Sequence, residues 1–407
     1  MWQLLLWGSI LVVLYSYFGY PALLYLIGRF RKRRLRQSAL DDGTPSVCLI
    51  ISAFNEETVL YDKIQNSLSL HYPAEKLTIL VASDGSTDRT VEIAEGFADY
   101  GVEVFHGSER RGKSAVLNDV IPRRSEDIIV FTDANSVFST DAVSRLVRRF
   151  SDPSIGCVVG RLRYVNGDSS SVGKGEGAYW KYEGMVSRLE SALSSVLVAN
   201  GSIFAIRRKL FQTLYPEVAN DFQIPIDIAA EGAGIIYEPG AEAIEHTTAL
   251  WREEFQRKIR IILRGLTGYS VLSGRIRGFR RWQFISHKLL RWMIGMYLLT
   301  AFAANAVLVS SSVFYAGMFA CQVVFYGFAL IGSRFRHSET PRKVFYVPFY
   351  FTMVNTAALV GLLKFLAGKR QRVWEKAEST RQAAVPAEQT EQPAQKAAEA
   401  DNQHVHY

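Results

Sequence analysis

Cysteine is scarce in this 407-residue sequence, and glycine-rich dinucleotide-binding motifs are missing from it. The three cysteines, Cys48, Cys157 and Cys321, are far apart and odd in number, so they predict neither a disulfide framework nor a set of metal ligands. Few and widely spaced cysteines are typical of a reducing compartment. No GxGxxG motif opens a helical pattern, which disfavours a dinucleotide-binding fold.

Charge is absent from three long apolar stretches, which are residues Trp2–Ile27, Trp292–Ser333 and Val344–Leu363. The first and last are each long enough to cross a bilayer core of about 30 Å, and the middle one is long enough for two crossings with a turn at Ser310–Ser312. A cleaved signal peptide would carry positive charge before its apolar run, whereas here the charge follows it. We therefore predict an uncleaved anchor at residues 1–28 and a C-terminal membrane region at residues 286–366.

Acidic residues are nearly absent from two basic segments next to these stretches. Residues Arg29–Arg36 hold six lysines or arginines, and residues Arg252–Arg291 hold eleven with only two acids, Glu253 and Glu254. Basic residues that flank membrane spans usually face the cytoplasm and anionic lipid. The net charge of +8 is therefore better explained by membrane contact than by nucleic-acid binding, for which no recognition motif is present.

The predicted membrane topology contains a conflict. An N-terminus outside the cell and Arg29 inside would place the C-terminus outside after four spans. The basic residues Lys369, Arg370 and Arg372 favour the inside. Whether one apolar block is re-entrant stays open.

The segment Trp251–Leu266 has apolar residues at helical spacing with basic residues between them. This pattern fits an amphipathic helix in the membrane interface, within an interface region at residues 251–285, and it fits a helix packed on the folded domain equally well. The tail at residues 377–407 is rich in Ala, Glu, Gln and Pro with few large apolar residues, which predicts disorder.

Between residues 45 and 250, short runs rich in valine and isoleucine alternate with amphipathic segments. We predict strands at Val47–Ala53, Leu77–Ala82, Val102–Phe105 and Ile128–Phe131. We predict helices at Thr58–Leu70, Asp88–Ala98, Lys113–Ile121 and Asp141–Phe150. This alternation is typical of an α/β domain with a mostly parallel sheet and helices on both faces.

Polar clusters follow three of these predicted strands, at the sheet edge where ligands bind in such folds. The clusters are Asn55-Glu56, Asp84-Gly85-Ser86 and Asp133-Ala134-Asn135. The Asp84 carboxylate can accept hydrogen bonds from a ribose or a uracil, and Asp133 can hold a divalent cation that bridges phosphates. A single aspartate after a strand is more often a turn former, but three clusters at three strand ends favour a ligand site.

Further motifs follow in a fixed order, which is Ala53-Phe54-Asn55-Glu56, Ser83-Asp84-Gly85-Ser86-Thr87-Asp88, Arg111-Gly112-Lys113, Thr132-Asp133-Ala134-Asn135, Tyr179-Trp180-Lys181-Tyr182-Glu183, Asn200-Gly201-Ser202 and Asn220-Asp221-Phe222. In this order they resemble the inverting glycosyltransferases of family 2, in particular the membrane-bound branch that holds the synthases of cellulose, hyaluronan, chitin oligosaccharides and poly-N-acetylglucosamine. The resemblance runs from about Tyr17 to Trp374. It implies a GT-A fold for residues 45–250, a nucleotide-diphosphate sugar donor such as a UDP-sugar, and Mg²⁺ or Mn²⁺ as cofactor.

The resemblance also implies roles for single residues. Six side chains would bind the donor: Asn55, Glu56 and Asp84 around the nucleoside, and Lys113, Asp133 and Arg260 near the base or the diphosphate. Asp133 and Asn135 stand at the first and last positions of the family's DxD metal motif. Asp221 stands at the position of the general base, which removes the proton of the acceptor hydroxyl.

Two departures from the family pattern affect these expectations. Asn135 replaces a carboxylate of the DxD motif, so we expect weaker cation binding. When Arg260 is aligned with the arginine of the family's QxxRW motif, Arg257 stands at the glutamine position and Ile261 at the tryptophan position. That tryptophan stacks at the acceptor end in processive synthases, and its absence disfavours the synthesis of long chains.

Trp180, Glu183 and Glu190 lie on a predicted helix between the donor and base motifs. They could form an acceptor-binding wall on which Trp180 stacks against a sugar ring, or they could belong to an amphipathic core helix. His106 and His246 are further possible bases, although a lone histidine is more often a surface or core residue.

Together these observations predict a multi-pass protein of the cell (inner) membrane with a cytoplasmic catalytic domain. It would transfer a sugar with inversion to a glycan or lipid-linked acceptor during exopolysaccharide or cell-surface glycan synthesis. One alternative is a processive synthase that exports its polymer with a partner subunit. Another is a catalytically silent scaffold of an export complex, against which the intact Asp84, Asp133 and Asp221 argue.

Overall fold

The computed structural model describes residues 1–30, 43–165, 171–193, 195–246, 250–334 and 343–371. Most of the first basic segment, Arg372 and the predicted tail at residues 377–407 lie outside these described residues.

The strands of the described chain form one mixed sheet in the order β3-β2-β1-β4-β7-β6-β8-β5. Their bounds are β1 Val47–Ala53, β2 Leu77–Ser83, β3 Val102–His106, β4 Ile128–Asp133, β5 Val137–Phe138, β6 Ile155–Val165, β7 Phe204–Arg207 and β8 Gly234–His246. The pairings β1–β2, β1–β4, β2–β3 and β6–β8 are parallel, whereas β4–β7, β6–β7 and β5–β8 are antiparallel. The predicted α/β sheet is confirmed, with an antiparallel insertion that the sequence pattern did not reveal.

Helices precede, surround and follow this sheet. Within the described residues they are α1 Trp2–Leu14, α2 Tyr20–Phe30, α3 Leu60–Leu68, α4 Thr90–Glu95, α5 Lys113–Val120, α6 Ala142–Arg148, α7 Ser171–Leu193, α8 Asn220–Ala230, α9 Trp251–Leu272, α10 Gly278–Phe284, α11 Leu290–Trp292, α12 Ile294–Leu308, α13 Val313–Arg334 and α14 Lys343–Leu366. A π-helical turn at Tyr15–Gly19 joins α1 to α2 without breaking the run.

The register of the parallel strands explains why the polar clusters come together. Ala53 of β1 is paired with Ser83 of β2, and Ser52 is paired with Asp133 of β4. The three strands therefore end at the same edge of the sheet. β4 extends two residues beyond its predicted end, so Asp133 is its last residue rather than part of the following loop.

Four helical segments are long and apolar enough to be candidate membrane spans, in agreement with the sequence prediction. They are Trp2–Phe30, Ile294–Ser311, Val313–Arg334 and Lys343–Leu366. Helices α12 and α13 form an antiparallel hairpin whose turn is a 3₁₀ segment at Val309–Ser311 followed by an extended Ser312. A hydrogen bond of 2.9 Å from Asn305 Nδ2 to Gln322 Oε1 joins the two helices.

Helix α9 connects the sheet domain to the apolar helices. Its residues Ile262 and Leu266 belong to the same buried cluster as Phe222 of α8, Trp292 of α11 and Leu362 of α14. Its basic side chains do not form one exposed face, because Lys258 is buried in an ion pair with Glu254 and Arg264 points into the sheet domain. Helix α9 therefore packs on the folded domain, and its place in the membrane interface stays a prediction.

Gly265 of α9 is expected to be required for this packing. A Cβ atom on Gly265 would lie 2.6 Å from Cη2 of Trp292, so Gly265→Ala forces the indole ring to move. Overpacking of this kind costs about 1–3 kcal/mol, and we expect a lower melting temperature in detergent. Gly274→Ala is the matched control, because nothing lies within 4 Å of its Cβ position. Equal melting temperatures for the two variants would contradict this packing.

Candidate active site

The loop that ends at Lys113 is held in place by Asp84. The Asp84 carboxylate accepts hydrogen bonds from the backbone amides of Arg111 (2.8 Å) and Gly112 (2.9 Å). Gly85 has φ +68°, and a Cβ there would lie 2.6 Å from the carbonyl carbon of Glu109, so only glycine fits. Burial raises the pKa of Asp84, while the two amides act in the opposite direction. Asp84 thus positions the start of helix α5.

This loop also has the GxxxxGK[ST] spacing of a P-loop, in residues Gly107–Ser114, which the sequence reasoning overlooked. A P-loop binds phosphate through the backbone amides of the loop. Here the amides of Arg111 and Gly112 are taken by the Asp84 carboxylate. A negative charge therefore occupies the place where a P-loop would hold phosphate, and the motif does not form that site.

Asn55 and Glu56 tie the loop after β1 to the loop after β2. Asn55 has φ +53°, its Oδ1 accepts a bond of 2.8 Å from the amide of Thr87, and its own amide donates to Ser86 Oγ (3.1 Å). The carboxylate-bearing Glu56 is buried and its amide donates to Thr90 Oγ1 (2.8 Å). The two residues stand at the edge predicted for the nucleoside, and their contact with it stays a prediction.

A cavity of about 430 Å³, called the large cavity below, lies beyond the ends of β4 and β8. Lys113 Nζ forms an ion pair of 2.6 Å with Asp133 Oδ1 at its wall. Gly201 separates Asp133 from Asp221, since a Cβ on Gly201 would lie 3.5 Å from Asp133 Oδ2 and 3.6 Å from Asp221 Oδ2. The absent side chain leaves space between two carboxylates where a ligand atom can sit.

Asp221 lies in the first turn of α8 and lines the large cavity. Burial raises the pKa of its carboxyl, the cations of Arg264 and Lys113 oppose this rise, and Asp133 adds to it. A carboxylate with a raised pKa is a better proton acceptor at neutral pH than an ordinary aspartate. The position and the environment of Asp221 therefore suit a general base.

Arg264 is the residue that sequence reasoning missed. Its Nε is buried without a hydrogen-bond partner among the described residues, and burial lowers its pKa while Asp221 acts to raise it. Arg264 lines the large cavity together with Lys113, and both also line a neighbouring small cavity of about 20 Å³. Its signal in the sequence was the spacing from Arg260, because residues four apart share one face of a helix.

The small cavity lies at the carboxyl ends of β1 and β2. Its other lining residues are Ser52, Ala53, Phe54, Ala82, Asp84, Gly112 and Val116. The Arg110 guanidinium covers the Phe54 ring at 3.8 Å from its centroid. Lys113 and Arg264 thus stand at the junction of two cavities, and an anion at this junction would meet two cations.

A divalent cation could be held by Asp133 and Asn135, which both line the large cavity. The described residues contain no group of three or more His, Cys, Asp or Glu side chains placed for a metal ion. The donor set of one carboxylate and one amide suits a hard cation only when phosphate oxygens or water complete its shell. Asp133 and Asn135 therefore suit a cation that binds together with a phosphate-bearing ligand.

Lys63 is buried behind Asp133, and no sequence motif predicted this position. Lys63 Nζ donates to the carbonyl oxygen of Ser136 (2.7 Å), and the Ser136 hydroxyl donates to the buried Glu245 (2.5 Å). Burial lowers the pKa of Lys63 to about 7, against the attraction of Asp133 and Glu245. Lys63 therefore supports the turn that carries Asp133 and Asn135 from behind.

The three predicted acceptor residues all line the large cavity, but two of them are engaged elsewhere. Glu183 is buried in ion pairs with Lys288 (2.8 Å) and Arg291, and the pKa of its carboxyl is held well below the usual value by these cations against burial. Glu190 accepts hydrogen bonds from His287 (2.9 Å) and Tyr20.

Trp180 lies near Tyr164, with 6.1 Å between the ring centroids. An acceptor role for Trp180, Glu183 and Glu190 stays a prediction. The carboxylates already have partners that hold α7 to helix α2 and to the segment around α11. Of the two histidines, His246 lines the large cavity, whereas His106 lies at the end of β3 beside Ser83 (3.3 Å).

Comparison with known proteins relates the domain to glycosyltransferases. Residues 48–215 match the family model of glycosyl transferase family 2. The chain is 26% identical over 238 residues to a probable glycosyltransferase, YdaM, of Bacillus subtilis. It is 27% identical over 223 residues to a beta-monoglucosyldiacylglycerol synthase of Synechocystis. It is 28% identical over 206 residues to a poly-beta-1,6-N-acetyl-D-glucosamine synthase of Staphylococcus aureus.

These matches cover about half of each protein. They take in 53%, 51% and 49% of this chain and 54%, 46% and 49% of the respective relatives, so the chain spans about half the length of the curated relatives it matches. Among solved structures, the mannosyltransferase PcManGT from Pyrobaculum calidifontis, in complex with GDP-Man and Mn²⁺, superposes with a TM-score of 0.70 at 22% identity. The superposition covers 90% of this chain and 99% of that one, which shows the same GT-A-like fold.

The proposed cation ligands can be tested without any turnover assay. Asn135→Asp adds a carboxylate and is expected to tighten Mn²⁺ binding by roughly tenfold, while Asp133→Asn weakens it by a similar factor. Mn²⁺ titration in the presence of a nucleoside diphosphate, followed by electron paramagnetic resonance, measures both. Asp141→Asn is the control, because Asp141 pairs with Arg145 on the surface. Unchanged affinity in Asp133→Asn would remove Asp133 from the metal site.

Proposed function

We propose that this chain, which carries a glycosyltransferase family 2 domain at residues 48–215, transfers a sugar from a nucleotide-diphosphate donor to an acceptor hydroxyl at the membrane surface. The observation that carries the proposal is the convergence of Asp133, Lys113, Arg264 and Asp221 where the two cavities meet. Relatives of this domain are named as synthases of a glycolipid and of a polysaccharide.

The donor is placed with its diphosphate at the junction of the cavities. Lys113 and Arg264 supply positive charge there, and Arg264 Nε is a buried donor that lacks a partner among the described residues. The nucleoside would lie beside Phe54 and Asp84. The small cavity holds only about 20 Å³, so donor binding must widen it, for example by displacing Arg110 from the Phe54 ring.

The reaction inverts the anomeric centre in one step. The acceptor oxygen forms a bond to the anomeric carbon while the bond from that carbon to the diphosphate oxygen breaks. Asp221 takes the acceptor proton, and Lys113 and Arg264 stabilise the charge that develops on the leaving diphosphate. A bound Mg²⁺ or Mn²⁺ supplies further charge neutralisation at the diphosphate.

The large cavity favours an acceptor that is held at the membrane. Its wall includes Tyr17 of the N-terminal apolar segment and Val354, Asn355 and Ala358 of α14, as well as Asp221. Ile261 also lines it, with 45% of its surface exposed, at the position where the processive synthases have a stacking tryptophan. The acceptor is therefore released after one or a few additions rather than gripped during long-chain synthesis.

The basic residues that flank the apolar helices indicate on which side of the membrane the sheet domain lies. The first apolar segment ends next to Arg29. Arg291 precedes helix α12, and Arg334 ends helix α13. Because such residues favour the cytoplasm, the catalytic domain is assigned to the cytoplasmic face.

The general base is tested by Asp221→Asn, which keeps the size of the side chain and removes its basicity. We expect kcat to fall by about 10²-fold or more, while donor binding survives. The assay screens a panel of nucleotide sugars for released nucleoside diphosphate, and calorimetry measures donor affinity. Glu231→Gln at the end of the same helix is the control, because its side chain is exposed and accepts a hydrogen bond from Gln212. Retention of more than about a tenth of kcat in Asp221→Asn would exclude the base assignment.

Two variants test whether Arg264 or Arg260 contacts the diphosphate. We expect Arg264→Gln to lower kcat/KM by roughly 10²-fold, because it removes a buried donor that acts on the developing charge. Arg260→Gln is expected to cost less, since Arg260 lines the large cavity and not the small one. Steady-state kinetics with the donor identified above measures both variants, with Arg252→Gln on the exposed start of α9 as control. A larger loss in Arg260→Gln would return the diphosphate role to Arg260.

A further inference from the structure

The apolar helices other than α14 form a bundle with two distinct ends. Helix α12 begins beside Trp292, which is packed into the core of the catalytic domain, and it ends at the turn Val309–Ser311. Helix α13 returns from that turn, as the Asn305–Gln322 bond in the middle of the hairpin shows. The start of α12 and the end of α13 therefore mark the end of the bundle near the catalytic domain. The turn marks the far end.

The first half of α14 contacts the part of α13 that leads to this near end. The Phe345 ring lies 5.5 Å from that of Phe328, the Phe351 ring lies 5.9 Å from that of Phe325, and a Cβ on Gly332 would meet the Phe345 carbonyl oxygen. In the middle of the helix, a Cβ on Gly295 at the start of α12 would lie 3.0 Å from Leu359 Cβ. The far end is packed differently, because Leu6, Ala301, Ala304 and Leu308 form a cluster without residues of α14.

The second half of α14 packs on the catalytic domain itself. A Cβ on Gly361 would lie 2.9 Å from Ile262 Cβ, and Leu362 belongs to the buried cluster that contains Phe222. Phe365 packs against the same cluster. Phe345 and Phe365 are separated by about 30 Å of helix, which is the thickness of a bilayer core. A helix that crossed the bilayer would have these two residues on opposite sides, but both lie on the side of the catalytic domain.

Helix α14 also runs alongside α9 in the same direction. Trp251 and Phe255 of α9 cluster with Phe349 and Met353 of α14. Further along both helices, Ile262 of α9 lies against Gly361 of α14. α9 carries Glu254, Arg257 and Lys258 among other charged residues over this length, and such a helix is excluded from the hydrocarbon core. α14 must lie at the same depth as α9.

We infer that α14 does not cross the bilayer but lies along the membrane surface on the side of the catalytic domain, with its exposed face against lipid. That face carries Val344, Val347, Leu363 and Leu366, each at least half exposed. The partner of this surface is the boundary between lipid head groups and acyl chains. With one face on the protein core and the other on lipid, the helix is apolar all round, and so its hydropathy equals that of a span.

This arrangement removes the conflict in the predicted topology. Three crossings by the Trp2–Phe30 segment, α12 and α13 return the chain to the side of Arg29. Lys369 and Arg370 then lie on that same side, as basic residues next to a membrane usually do. The inference concerns the fold and does not depend on the proposed chemistry, so it can fail or hold independently of the transferase activity.

Cysteine labelling in membrane vesicles tests the inference on the full chain. Cys321 is replaced by serine, since the other two native cysteines are buried. Single cysteines are then placed by Lys343→Cys, Lys369→Cys and Val313→Cys, the last at the exposed far end of the bundle. Inverted and right-side-out vesicles are treated with a membrane-impermeant maleimide. We expect the cysteines at 343 and 369 to react from the cytoplasmic side and the cysteine at 313 to react from the opposite side.

The contrary result is equally clear. If the cysteine at 369 reacts from the side of residue 313, α14 crosses the membrane and the inference is wrong. Should a labelled position prove unreactive, a reporter at the C-terminus of the full chain decides. We expect a fused green fluorescent protein to fluoresce and a fused alkaline phosphatase to be inactive, and the reverse pattern would overturn the inference.

Discussion

The charged side chains of the large cavity have to be separated from the apolar helices that form part of its wall, and helix α9 meets this constraint. Arg264 points from it to Asp221 and Lys113, while Ile262 and Leu266 pack against Leu362 and Trp292. Gly265 follows Arg264 directly and admits the Trp292 ring at a distance that any side chain would prevent. The helix can therefore bring an arginine to the large cavity and an apolar surface to α14 within one turn.

Most charged side chains at the wall of the large cavity form ion pairs with a neighbour of opposite charge. Glu183 neutralises Lys288 and Arg291, Glu254 pairs with Arg257 and Lys258, and Lys113 pairs with Asp133. Removing one member of such a buried pair costs more than the pair contributes, because the remaining charge loses its partner in a poorly solvated place. Arg264 differs, since its Nε has no hydrogen-bond partner among the described residues. An arriving diphosphate would supply that partner, which would link donor binding to an arginine that interacts with the proposed base Asp221.

The sequence predicted the part of the site that depends on strand order, and it missed the part that depends on packing. Short apolar runs rich in valine and isoleucine located β1, β2 and β4, and parallel pairing then required Asn55, Asp84 and Asp133 to meet at one edge. Asp84 was predicted to bind the nucleoside, yet its carboxylate is used for two backbone amides, which no spacing rule reveals. Arg264 and Lys63 depend on which face of a helix is buried. Hydropathy alone could not distinguish α14 from a span, because both of its faces are apolar.

The position of α14 bears on how an acceptor reaches Asp221. Val354, Asn355 and Ala358 of this helix line the large cavity, and Tyr17 lines it from the N-terminal segment, with its ring 6.1 Å from that of Phe351. A helix at the membrane surface places this part of the cavity at the depth of lipid head groups. A hydroxyl carried by a lipid could then approach the base without leaving the bilayer, whereas a soluble glycan would have to enter past the loops of the sheet. The same helix that defines the topology thus favours an acceptor that is itself part of the membrane.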